Sequence, residues 1–88
     1  MIKILKFESD SCPQCKALSA TLERISKENK IDIKNIDIEE DNNQDLIRKY
    51  NIRSIPTLIF LNEDKEYNRL VGNQSYSTIN KIINHDTI

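Results

Sequence analysis

The first apolar stretch of the chain, residues 2 to 8, constrains the fold more than any other feature. In extended backbone successive side chains alternate between faces, so Ile2 and Ile4 point one way while Leu5 and Phe7 point the other. A strand that is apolar on both faces needs cover on both, which makes it a central strand of a layered sheet. Lys3 and Lys6 interrupt the run, and Lys6 shares a face with Ile4 and Glu8.

A polar loop from Glu8 to Ser11 follows. Pro13 then fits the first turn of a helix, where its missing N–H costs nothing. Leu18, Leu22 and Ile25 recur at i, i+4 and i+7, and Lys27 and Lys30 suit a helix C-terminus, so the first helix is expected over Pro13 to Asn29. Ile31, Ile33, Ile36 and Ile38 make a second strand. The run Glu39 to Asn43 breaks it and offers N-caps for a short helix from about Asn43 to Tyr50, burying Leu46, Ile47 and Tyr50.

Thr57 to Leu61 is a nearly unbroken apolar strand, Asn62 to Lys65 has turn composition, and Glu66 to Val71 returns as an antiparallel partner. Gly72, the only glycine, ends it. Ser75 or Ser77 caps a last helix with the stripe Tyr76, Ile79, Ile82 and Ile83; Tyr50, Phe60 and Tyr76 are read as core. The order β-α-β-α-β-β-α has one physical solution in an α/β chain of this size. Strands joined through a helix run parallel with a right-handed crossover, the last two form a hairpin, and the result is a four-stranded mixed sheet with helices on both faces.

Eighty-eight residues make a single domain, 1–88. Thirteen Lys and Arg against 14 Asp and Glu leave a net charge of −1 with no block of like charges, which excludes nucleic-acid or membrane binding by bulk charge. No apolar stretch approaches the roughly 20 residues of a membrane helix, and no leader pattern follows Met1, so a cytoplasmic location is expected.

Chemistry concentrates in Cys12-Pro13-Gln14-Cys15. A structural disulfide here would close too short a loop to constrain the unfolded chain much, which leaves reactivity or metal binding. A closed zinc site wants four ligands, and the remaining soft candidate is His85, a surface residue near the C-terminus, so no metal and no cofactor beyond the dithiol itself is expected. Cys12 precedes the helical proline, where orphan N–H groups and the positive helix end favour a thiolate; it is the candidate nucleophile. Cys15 falls on the buried stripe and is the candidate resolving thiol. Lys16 either adds to thiolate stabilisation or is solvated. Lys6 has three options: running its stem past apolar neighbours, pairing with Glu8, or setting a cation beneath the dithiol.

With these residues in view, the chain resembles the thioredoxin-fold dithiol oxidoreductases, the small thioredoxins and glutaredoxins, over nearly its whole length. The resemblance rests on Cys12-Pro13-Gln14-Cys15 after the first strand, Tyr50-Asn51-Ile52-Arg53-Ser54-Ile55-Pro56-Thr57 before the third, and Val71-Gly72 after the fourth. It implies a cis Ile55-Pro56 bond facing the sulfurs. It also implies substrate contacts at Pro13, Gln14, Ile55, Pro56 and Gly72, with Ile55 backbone groups pairing with an extended segment. Protein disulfides are the implied substrates, a thioredoxin reductase or glutathione the reductant, and a monomer the working form; a non-catalytic binding subunit and a glutathione-dependent glutaredoxin are the alternatives. The buried acid of thioredoxins, six residues before the first cysteine, aligns with Lys6. The glycine pair that helps glutaredoxins hold glutathione is missing after Val71.

Overall fold

A computed structural model describes residues 1–84. Strand β1 (Ile2–Glu8) leads through a short loop into helix α1 (Pro13–Glu28), followed by β2 (Asp32–Asp37), a 3₁₀ turn (Asp41–Asn43) and α2 (Gln44–Lys49). Strands β3 (Thr57–Asn62) and β4 (Lys65–Val71) form a hairpin, and α3 (Tyr76–Asn84) closes the described chain. The sheet order is β2-β1-β3-β4, with β1 parallel to β2 and antiparallel to β3. β1 is therefore central, as its two-sided apolar pattern requires.

Each face of the sheet carries its own apolar cluster. Ile4, Leu58 and Phe60 pack under Leu18, Leu22 and Ile25 of α1 and Ile79 and Ile83 of α3. On the opposite face Leu5, Phe7, Ile36, Ile59 and Leu61 are covered by half-buried Leu46, Ile47, Tyr50, Ile52 and Ile55. β2 and the residues flanking it serve both clusters, with Ile31 and Ile33 near the first and Ile36 and Ile38 near the second.

The β3–β4 turn places Glu63 and Asp64 at φ 53° and 67°, the left-handed pair that a two-residue hairpin turn of the right twist demands. Gly72, at φ 88°, ends β4 in a conformation that a side chain rarely adopts. Ser75 caps α3, its Oγ accepting the Thr78 N–H at 3.2 Å.

The first helix ends as expected, at Glu28 with Asn29 as its C-cap, where Asn29 turns extended at φ −137° and its N–H and side-chain amide both bond the Ile25 carbonyl. Two sequence expectations need correction. The acidic run does not cap α2. Neither Glu40 nor Asn43 makes a side-chain cap bond; instead Asn43 Nδ2 donates to the Asp37 carbonyl at 2.9 Å and Gln44 Nε2 to the Ile38 carbonyl at 3.0 Å, tying α2 back to β2. Of the three aromatics read as core, only Phe60 is fully buried. Tyr50 is half-buried like its helix neighbours Leu46 and Ile47, and Tyr76 lies on the rim, its ring under the Arg24 guanidinium at 4.0 Å and its hydroxyl on Glu28.

Candidate active site

The register gathers distant parts of the sequence at one end of the sheet. Phe7 of β1 pairs with Thr57 of β3, and Thr57 pairs with Val71 of β4. The loop leaving β1, the segment entering β3 and the residue after β4 thus emerge side by side. Cys12 and Cys15 come from the first, Ile55 and Pro56 from the second, and Gly72 from the third. The Gly72 N–H donates to the Pro56 carbonyl at 2.8 Å, which locks the second and third together. The Ile55–Pro56 peptide is cis.

Cys12 is the N-cap of α1, extended at φ −104°, and its Sγ accepts the Cys15 N–H at 3.1 Å. An N–H that the helix leaves without an internal partner is thereby aimed at sulfur, together with the positive end of a 16-residue helix. Cys15 is 1% exposed, whereas Cys12 is half-buried. Their Cα atoms are 5.2 Å apart and the two sulfurs are bonded as a disulfide, well within the separation such a bond needs. Helical spacing sets this asymmetry, since Cys15, Leu18 and Leu22 share the stripe that α1 turns to the sheet.

Around the dithiol Pro13 and Gln14 are exposed, Ile55 and Gly72 half-buried and Pro56 buried. Val71, beside Gly72, is 54% exposed, an apolar surface residue at the same end of the sheet. A groove of about 380 Å³ on the α2 side reaches the site only at Ile55 and is otherwise lined by Ile38, Gln44, Ile47, Ile52, Arg53 and Ser54. Lys16 is exposed, and among the described residues its side chain makes no hydrogen bond or ion pair.

Lys6 is the departure from an apolar interior. It is 0% exposed, so it does not reach past its neighbours to water. Its Nζ bonds the Cys15 carbonyl at 2.8 Å, the Ser19 hydroxyl, and Glu8 Oε1 at 2.8 Å. Three acceptors match the three donors of an ammonium, and no buried side-chain polar atom among the described residues lacks a partner. Lys6 pairs with Glu8, one of the options the sequence left open, and it also bonds the turn of α1 that carries Cys15. Ser19, whose hydroxyl also donates to the Cys15 carbonyl at 3.1 Å, escaped the sequence reading. Its position four residues after Cys15, on the same helical face, was the available signal.

Among the described residues no group of three or more His, Cys, Asp or Glu side chains gathers as a metal ion requires. His85 lies outside the described residues. Among the described residues no helix is long and apolar enough to cross a membrane.

Comparison with known proteins agrees with this geometry. The thioredoxin family model matches residues 2–85. Thioredoxin from Rickettsia felis is 30% identical over 81 residues, covering 92% of this chain and 77% of that protein. Thioredoxin from Bacillus subtilis is 28% identical over 83 residues, covering 94% and 80%. In structure, a thioredoxin variant from Halobacterium salinarum superposes with a TM-score of 0.88 at 24% identity, over 99% of this chain and 75% of that one. Oxidised thioredoxin O2 from Arabidopsis thaliana gives 0.85 at 20% identity, over 98% and 75%. The family match and the paired cysteines at the N-terminus of α1 together make this chain a member of the thioredoxin family, a thiol–disulfide oxidoreductase.

Proposed function

We propose that the protein is an electron carrier that reduces protein disulfides through Cys12-Pro13-Gln14-Cys15. The observation that carries this reading is the inequality of the two sulfurs: Cys12 half-open at a helix cap, Cys15 closed beneath it. In the first step the Cys12 thiolate attacks one sulfur of a target disulfide. The target S–S bond breaks, a Cys12–target disulfide forms, and the departing sulfur takes up a proton. In the second step Cys15 gives up its proton and attacks Cys12 Sγ, forming the Cys12–Cys15 bond and releasing the second target thiol. Two electrons pass from the dithiol to the target.

Pro13, Gln14, Ile55 and Gly72 form the docking surface in this reading, with the buried Pro56 fixing the turn behind it, the exposed Val71 extending it and the substrate lying as an extended segment across Ile55. The working form is a cytoplasmic monomer needing no cofactor beyond its own disulfide. A thioredoxin reductase is the reductant; the lone Gly72, followed by Asn73, supports that choice over glutathione. The test is insulin reduction with NADPH and a bacterial thioredoxin reductase in one arm and glutathione with its reductase in the other. Turnover in the first arm and its loss in Cys12→Ser are expected. Turnover with glutathione alone would make the protein a glutaredoxin, and none in either arm would leave a binding subunit.

A further inference from the structure

The mechanism above uses the two sulfurs and the helix end, yet the one fully buried charged side chain among the described residues is bonded to the helix turn that carries Cys15. Lys6 Nζ is bonded to the carbonyl of Cys15 itself, and its one ion-pair partner among the described residues is Glu8, whose side chain keeps 26% exposure. Its remaining hydrogen-bond and register partners carry no charge: Ser19 on α1, Asn35 in register on β2 and Leu58 in register on β3. Asp37 of β2 is in register with Glu8, not with Lys6, and Lys16 of α1 is exposed.

We propose that the Lys6–Glu8 pair sets the redox poise of the dithiol, Lys6 as a positioning residue that favours the reduced form and Glu8 as the counter-charge that limits it. Reduction converts the Cys12–Cys15 bond into a thiolate and a thiol, so it adds negative charge at the first turn of α1, the turn to which Lys6 is bonded. A cation nearby stabilises that charge and an anion opposes it, and screening is weak where water is excluded. Removing either member of the pair therefore moves the same equilibrium in opposite directions. A purely structural bond between Lys6 and the helix does not make that prediction, because losing it through either partner would disturb the site in the same sense.

This inference rests on the dithiol reading above, but its test does not need a target protein. The full chain is equilibrated with reduced and oxidised dithiothreitol, whose cyclic disulfide takes the two electrons as the Cys12–Cys15 bond forms, and the oxidised fraction is read by thiol alkylation and mass. Lys6→Met keeps the length of the stem and removes the charge. It should disfavour the reduced protein about fivefold, or about 20 mV at 29.6 mV per tenfold. Glu8→Gln retains an acceptor for Nζ and removes only the negative charge; it should favour the reduced protein by a similar factor, with the double variant between the two. Shifts of the same sign, or none in Glu8→Gln, overturn the proposal. If Lys6→Met does not fold, Glu8→Gln still decides it. A wild type that equilibrates normally but fails to reduce insulin would count against the proposed function and not against this inference.

Discussion

Helix α1 carries two polar clusters of similar make-up at its two ends. Near its start Lys6, Glu8 and Ser19 tie the Cys15 turn to β1. Near its end Arg24, Glu28 and Tyr76 tie the last turns to α3. Each has a cation, a glutamate and a hydroxyl. They differ in water: the Lys6 side chain is 1% exposed, while Arg24 and Glu28 are 63% and 44% exposed. The same contacts accordingly carry different weight. A dry ion pair leaves an uncompensated charge behind when one member is lost, whereas a wet one is replaced by solvent at little cost.

The largest effect that follows is on Lys6→Ala, which should lower unfolding free energy by about 3 kcal/mol, toward the lower end for a broken buried pair because Glu8 can turn to water. Urea denaturation measures it, and a loss under about 1 kcal/mol breaks the contrast between the two ends. Ser19→Ala comes next. It removes an acceptor for Lys6 and a donor to the Cys15 carbonyl, and about 1 kcal/mol is expected by the same measurement. Raising salt sharpens the comparison further: 0.5 M NaCl should leave the Lys6→Ala deficit almost unchanged.

The smallest effect belongs to the wet end. The Tyr76 hydroxyl holds the Glu28 carboxyl below its ordinary value of 4.5, against the opposing effect of desolvation and with a lesser contribution from Arg24. A lowered carboxyl stabilises the fold above its unfolded value and loses that contribution as pH falls through the folded one. Tyr76→Phe gives up part of that contribution, so its stability should fall slightly less steeply than that of the wild type below pH 4.5, a small difference because water takes the place of the lost partner. A large change of the acid limb in Tyr76→Phe would give the exposed cluster a weight like that of the buried one.

The two ends also differ in how far the sequence revealed them. Cys12 at the cap and Cys15 on the stripe were legible because their relation is local, fixed by helical spacing and Pro13. The central place of β1 followed from apolar residues on both faces. Strand parity put Lys6 on the right face, but its partners depend on which carbonyl and hydroxyl α1 sets above it, and that is a matter of packing. Tyr76 fits the apolar stripe of α3 by spacing, yet Arg24 and Glu28 of a different helix draw it to the rim. The capping of α2 failed for a related reason, since Asn43 and Gln44 bond the carbonyls at the end of β2 instead of their own helix. The meeting of Pro56 with Gly72 is a product of strand register, and only the family resemblance brought it forward.

The division of labour between the two sulfurs can be tested without any partner protein. The reduced chain is treated with limiting iodoacetamide at pH 7, and the modified cysteine is identified by peptide mass. Cys12, with a helix N–H on its sulfur and an opening to solvent, should react at least about tenfold faster than Cys15 and faster than a free thiol whose pKa is about 8.5. Equal rates, or faster reaction at Cys15, would contradict the assignment of Cys12 as nucleophile and Cys15 as the shielded resolving thiol.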